Sequence, residues 1–131
     1  MNRPICFILL YVLAATPASA KEPDLSIETG EGLRILIHSQ LSPLQINRIH
    51  SWHVEVVDAD SKPVTDAVVV VTGGMPEHDH GLPTQPKVTE EIKPGTYLLQ
   101  GVRFHMPGKW RMIISIETEV NLTSVSLDFE L

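Results

Sequence analysis

The stretch Trp110-Arg111-Met112-Ile113-Ile114-Ser115-Ile116-Glu117 sets Trp110, Met112, Ile114 and Ile116 on one side of an extended chain, and Arg111, Ser115 and Glu117 on the other. A period of two with large apolar side chains on one face predicts a β-strand lying over a core. The same reading extends outward in both directions. Val125, Leu127, Phe129 and Leu131 alternate with polar residues at the C-terminus, Trp52, Val54 and Val56 alternate with His53 and Glu55, and Leu33, Ile35 and Ile37 alternate with Arg34 and His38. Tyr97 to Phe104 predicts another strand, Lys87 to Ile92 a short edge strand, and the continuous run Ala67 to Val71 a strand buried on both faces.

Turn residues separate these segments. Asp58-Ala-Asp60-Ser-Lys-Pro63, Gly73-Gly74, Pro94-Gly95 and Pro107-Gly108 favour reversal over continued pairing. No stretch holds apolar residues at helical spacing over several turns. About seven short strands in a chain of 131 residues predict an all-β fold, an immunoglobulin-like β-sandwich without the Cys-Trp-Cys signature of antibody domains. The expected domain spans residues 32–131, preceded by a polar, flexible leader over residues 21–31.

Residues 1–20 read as a cleavable signal peptide: Arg3, the apolar run Ile5 to Ala15, then Ala18-Ser19-Ala20 before Lys21. A retained membrane anchor would need about 20 apolar residues, and this run is shorter. The single cysteine, Cys6, leaves with the signal, so the exported domain has neither disulfide nor thiolate. A periplasmic or secreted protein without a stable membrane span is expected. The net charge of −6 argues against nucleic acid and anionic membranes as partners. No nucleophile elbow, phosphate loop or dinucleotide fingerprint occurs, so nothing calls for an enzyme.

Two loops combine metal-ligating side chains: Gly73-Gly74-Met75-Pro76-Glu77-His78-Asp79-His80-Gly81-Leu82-Pro83 and Phe104-His105-Met106-Pro107-Gly108-Lys109-Trp110. At one end of a sandwich such loops can meet. His78 and His80, two apart in extended backbone, point to one side. Imidazole suits zinc or copper, and the thioethers of Met75 and Met106 bias the choice toward Cu(I). A zinc site would draw instead on His78, His80, His105 and Glu77. Adjacent strand residues face opposite ways, so His105 and Met106 compete. His105 reads as the more structural of the two, and Met106 equally well as a core plug. His38, His50 and His53 read as surface or structural histidines.

The matching segments from about Leu44 to Ile116 resemble the YtkA-like and FixH-like family of small exported β-sandwich domains. They are Trp52-His53-Val54, Pro63-Val64-Thr65-Asp66-Ala67, the Gly74 to Gly81 segment, Gly95-Thr96-Tyr97 and the Phe104 to Trp110 loop. The resemblance implies copper handling, with Met75, His78, His80 and Met106 at the site, and copper-delivery or oxidase-assembly proteins as partners. FixH-like proteins usually keep a membrane helix that this sequence is expected to lose. The function expected is therefore a periplasmic copper carrier or oxidase-assembly accessory. The alternative is a metal-free module for protein–protein interaction in the envelope.

Overall fold

The computed structural model describes residues 20–131; the expected signal peptide, up to residue 19, lies outside the described residues. These hold nine strands: β1 (Leu25–Glu28), β2 (Arg34–Ser39), β3 (His50–Val57), β4 (Val68–Met75), β5 (His80–Gly81), β6 (Lys87–Lys93), β7 (Thr96–Val102), β8 (Lys109–Glu117) and β9 (Leu122–Glu130). They form two antiparallel sheets, one ordered β1-β2-β3-β7-β6 and the other β5-β4-β8-β9. The protein is an all-β sandwich, and all seven expected strands are present. Among the described residues no helix is long and apolar enough to cross a membrane.

The two added strands are β1 and β5. β1 corrects the expectation of a flexible leader: Leu25 pairs with Ile37 and Ile27 with Ile35, and both apolar side chains pack on the core. Its start is tied down by Asp24, whose amide donates to Ile37 O at 2.8 Å and whose carboxylate accepts the Ser39 amide at 2.8 Å. Burial acts to raise the Asp24 pKa, but the Ser39 amide, the Ser42 hydroxyl and Lys21 outweigh it and hold the carboxyl below its ordinary range. A second correction concerns the valine run. Val69 and Val71 are buried, while Val68 and Val70 are 58% and 51% exposed. Among the described residues no third layer covers the outer face of this sheet, and β-branched residues suit a pleated strand on either face.

The core alternates as expected. Trp110, Met112, Ile114 and Ile116 of β8 are buried against Ile35, Ile37, Trp52, Val54 and Val56 of the facing sheet. Aromatic rings concentrate at one end of the sandwich, where Phe104 lies 5.1 Å from Trp110, 5.3 Å from Phe129 and 5.9 Å from Trp52. His50 joins them. Its Nδ1 stands 3.0 Å from Arg48 O, which requires the proton there, so Nε2 accepts the Trp52 indole N–H at 3.1 Å.

At the opposite end, Tyr97 locks the β3–β4 connection. Its hydroxyl donates to Val64 O at 2.7 Å and accepts the Ala67 amide at 3.0 Å. Burial, joined by Glu91 and Asp66, pushes the phenol pKa up against the pull of the Ala67 amide, so the donor proton is retained. Tyr97→Phe leaves both backbone groups without that partner and is expected to lower stability by about 1–3 kcal/mol, measured by urea unfolding.

Candidate metal centre

Two glycines shape the first loop. Gly73 pairs with Met112 and Gly74 with Arg111 on β8, while Gly74 also faces Gly81 on β5. A Cβ on Gly74 would strike His80 O, and one on Gly73 would strike the Met112 sulfur. The bare Gly74 lets β5 close onto β4, with Met75 paired to His80, and the bare Gly73 makes room for Met112 of β8. Between them, Pro76 to Asp79 turns the chain. The His78 amide donates to Met75 O at 3.1 Å, with Pro76 at the position where its fixed φ favours a turn. Asp79 takes a left-handed φ of 51°, a conformation Asp tolerates.

This turn replaces the extended loop expected from the sequence. The rings of His78 and His80 are stacked, 6.1 Å apart and 29° from parallel. They lie side by side because Asp79 bends the backbone, not because the loop is straight. Both histidines are exposed. A depression of about 290 Å³ opens beside His80, lined by Gly74, Pro76, Asp79 and Arg111 among others.

The second loop is held by the C-terminus and by Trp110. Gly108 and Leu131 exchange backbone hydrogen bonds of 2.7 and 3.0 Å, and the Trp110 indole N–H donates to Met106 O at 3.0 Å. Trp110 is buried, and the His105 ring stands edge-on to it at 5.6 Å and 75°. Met106 is half-buried and packs on the core.

The two loops touch. The His80 and His105 rings are 6.1 Å apart, Lys109 Nζ lies 3.2 Å from Glu77 Oε1, and the Met75 methyl is 3.0 Å from where a Cβ on Gly108 would sit. His78, His80 and His105 therefore form a row of three imidazoles. His105, expected to be the more structural of its pair, is the one whose ring reaches His80. Its Nδ1 is shut off from solvent and has no hydrogen-bond partner among the described residues. No pattern in the sequence marks that orphaned nitrogen, which follows from the packing of Trp110.

Met75 is buried in the core, with 1% of its surface exposed, below the surface on which His78 and His80 lie. Glu77, the carboxylate a zinc site would use, is engaged with Lys109. That hydrogen bond, with the nearby Glu77 and Glu130 charges, pushes the Lys109 pKa up. Among the described residues no three His, Cys, Asp or Glu side chains already converge around a common point. With metal–nitrogen bonds of about 2 Å, two imidazoles sharing an ion have ring centres about 5–5.5 Å apart. The observed spacing is within reach of small ring rotations.

Outside the two loops, His50 is buried and hydrogen-bonded, whereas His38 and His53 lie partly exposed on the outer face of the five-stranded sheet. The chain is similar in outline to a solved structure described as the ZirS C-terminal domain, at 14% identity and a TM-score of 0.43, covering 98% of this chain and 95% of that one. That distant likeness bears on neither site nor function. No curated protein matches the chain. The profile of the YtkA-like family matches residues 32–115, which takes in both loops and most of both sheets, and FixH-like kinship rests on the sequence resemblance alone. By that match, over more than half its length, the chain belongs to the YtkA-like family.

Proposed function

We propose that this YtkA-like protein binds copper in the periplasm or another exported compartment and acts as a metal carrier or an accessory to cytochrome oxidase assembly. The observation that carries the reading is the row of His78, His80 and His105, drawn from two touching loops and ending in a buried, unpartnered Nδ1 on His105. A nitrogen in that state costs free energy unless something accepts or donates to it. A metal ion supplies the missing partner.

Thioethers accompany the imidazoles. Met106 flanks His105, and Met75 lies at the foot of the turn in register with His80. Sulfur of this kind favours Cu(I) over zinc, and Glu77, the carboxylate that would favour zinc, is turned toward Lys109 in an exposed ion pair. His80 and His105 form the nucleus of the site, His78 completes it, and Met75 and Met106 supply soft donors when the loops adjust. Copper-delivery or oxidase-assembly proteins are the proposed partners.

Titration of the purified protein with Cu(I) and Cu(II) in competition with a chromophoric chelator tests the reading. His78→Ala and His80→Ala are expected to weaken binding, His80→Ala by at least tenfold. Unchanged affinity in both variants rules the site out. The alternative, a metal-free interaction module, draws support from Val68, Val70 and Ile113, exposed together on the outer face of the β4–β8 sheet. Capture of an envelope partner that survives both chelator and the histidine substitutions would favour it.

A further inference from the structure

A second histidine pair lies on the outer face of the five-stranded sheet, away from the two loops. His38 of β2 stands directly opposite His53 of β3. Both side chains point outward, because Ile37 and Trp52 on either side of the pair are buried. Directly opposed residues bring their Cβ atoms within about 4.5–5.5 Å. Glu55, two residues along from His53 on the same face, places Oε2 3.7 Å from His38 Nε2.

Two donor atoms about 2.1 Å from one ion at a tetrahedral angle are about 3.4 Å apart, close to this His38–Glu55 separation. The three side chains do not converge as they stand, and the half-exposed His53 ring has to rotate toward His38 and Glu55 to supply the third donor. All three residues stand on paired strands, which fix their backbone positions better than a loop does.

The surroundings point to a ligand. The three residues line a cleft of about 800 Å³, closed on one side by residues 20–23 and on another by Lys93 and Thr96. Thr96 is opposite Glu55 in register and 3% exposed, and its hydroxyl has no hydrogen-bond partner among the described residues. A buried hydroxyl at the wall of a polar cleft is suited to a water bound to an ion. Charge does not oppose a cation: Lys21 is paired with Asp24 at 3.5 Å, and besides Lys93 the cleft is lined by the carboxylates of Glu22 and Glu55.

We propose that His38, His53 and Glu55 form a second metal site, selective for a divalent transition ion such as zinc. Two imidazoles and a carboxylate make a harder donor set than the Met-flanked loops, so this site discriminates against Cu(I). It is independent of the copper site in residues and in preferred ion.

The test uses zinc in a protein that carries His78→Ala and His80→Ala, so that the loop site cannot contribute. Zinc binding is expected to persist there and to shift the ring resonances of His38 and His53. Adding His53→Ala is expected to cut zinc affinity at least tenfold, and Glu55→Gln to cut it less. All three side chains are on the outer face, so the melting temperature monitors folding. In the parent chain, His53→Ala is expected to leave Cu(I) affinity unchanged. Zinc affinity that stays within twofold on adding His53→Ala, or zinc that leaves both ring resonances unmoved, overturns the proposal. Neither result touches the copper reading, which is measured with a different ion and different variants.

Discussion

Trp110→Ala is expected to destabilise the protein by about 3–5 kcal/mol, the range for removing a large buried aromatic side chain, and to abolish copper binding in whatever fraction stays folded. The indole is 1% exposed and packs on Phe104 at 5.1 Å. It also does two things for the second loop. It supports the His105 ring edge-on at 5.6 Å, and its N–H holds Met106 O. Trp110→Phe separates these roles. It keeps an aromatic face for His105 but leaves the Met106 carbonyl without that donor, at a cost of about 1–2 kcal/mol. Copper affinity is expected to fall much less in Trp110→Phe than in Trp110→Ala. Equal losses in both would mean that the hydrogen bond, and not ring support, governs the loop. Thermal unfolding and copper titration of the two variants give the comparison.

Gly74→Ala carries the second large effect. A methyl group at this position would strike His80 O; the Cβ has no torsion with which to swing aside and the atom it meets is backbone, so β5 must move away. Overpacking of this kind costs about 1–3 kcal/mol. More telling is its consequence for the site, because the displaced residue is His80 itself. Gly81→Ala is the matched control. Its nearest neighbour is Gly73 O at 3.9 Å, an ordinary contact, and stability is expected to change by no more than about 0.5 kcal/mol. Copper affinity is expected to drop severalfold in Gly74→Ala and to hold in Gly81→Ala. A Gly74→Ala protein with parental affinity would show that the pairing of β5 with β4 does not position the site.

Period-two alternation made most of the fold legible. Trp110 to Ile116 and Trp52 to Val56 announce their buried faces because each strand has the core on one side and solvent on the other. Where that asymmetry fails, the reading fails with it. The valine run of β4 carries no polar residues on its outer face, so it suggested two buried faces where there is one. β1 offers only Leu25 and Ile27 as apolar markers, among charged residues typical of a leader. β5 is two residues long, and its pairing is decided by two glycines and a turn, not by any pattern of its own.

The site was legible as residue types and largely illegible as geometry. Met75, His78, His80, His105 and Met106 stand out as metal-ligating chemistry in two loops, and sandwich topology brings those loops together. Which side chains face each other depends on smaller causes. The left-handed turn at Asp79 stacks His78 on His80. Trp110 fixes Met106 through its carbonyl and leaves His105 free to face His80. Met75, the closest sulfur in sequence to the histidine pair, continues the buried face of β4 and enters the core. The same alternation put His38 and His53 on an outer face, but only register shows that they are directly opposite each other.

The central claim is that the orphaned nitrogen of His105 is a metal ligand, and nitrogen-15 spectroscopy of the histidine rings tests it most directly. On adding one equivalent of Cu(I), the His105 Nδ1 resonance is expected to move to the position of a metal-bound imidazole, together with a ring nitrogen of His80. Stoichiometric binding of Cu(I) with the His105 ring nitrogens unmoved would contradict the account.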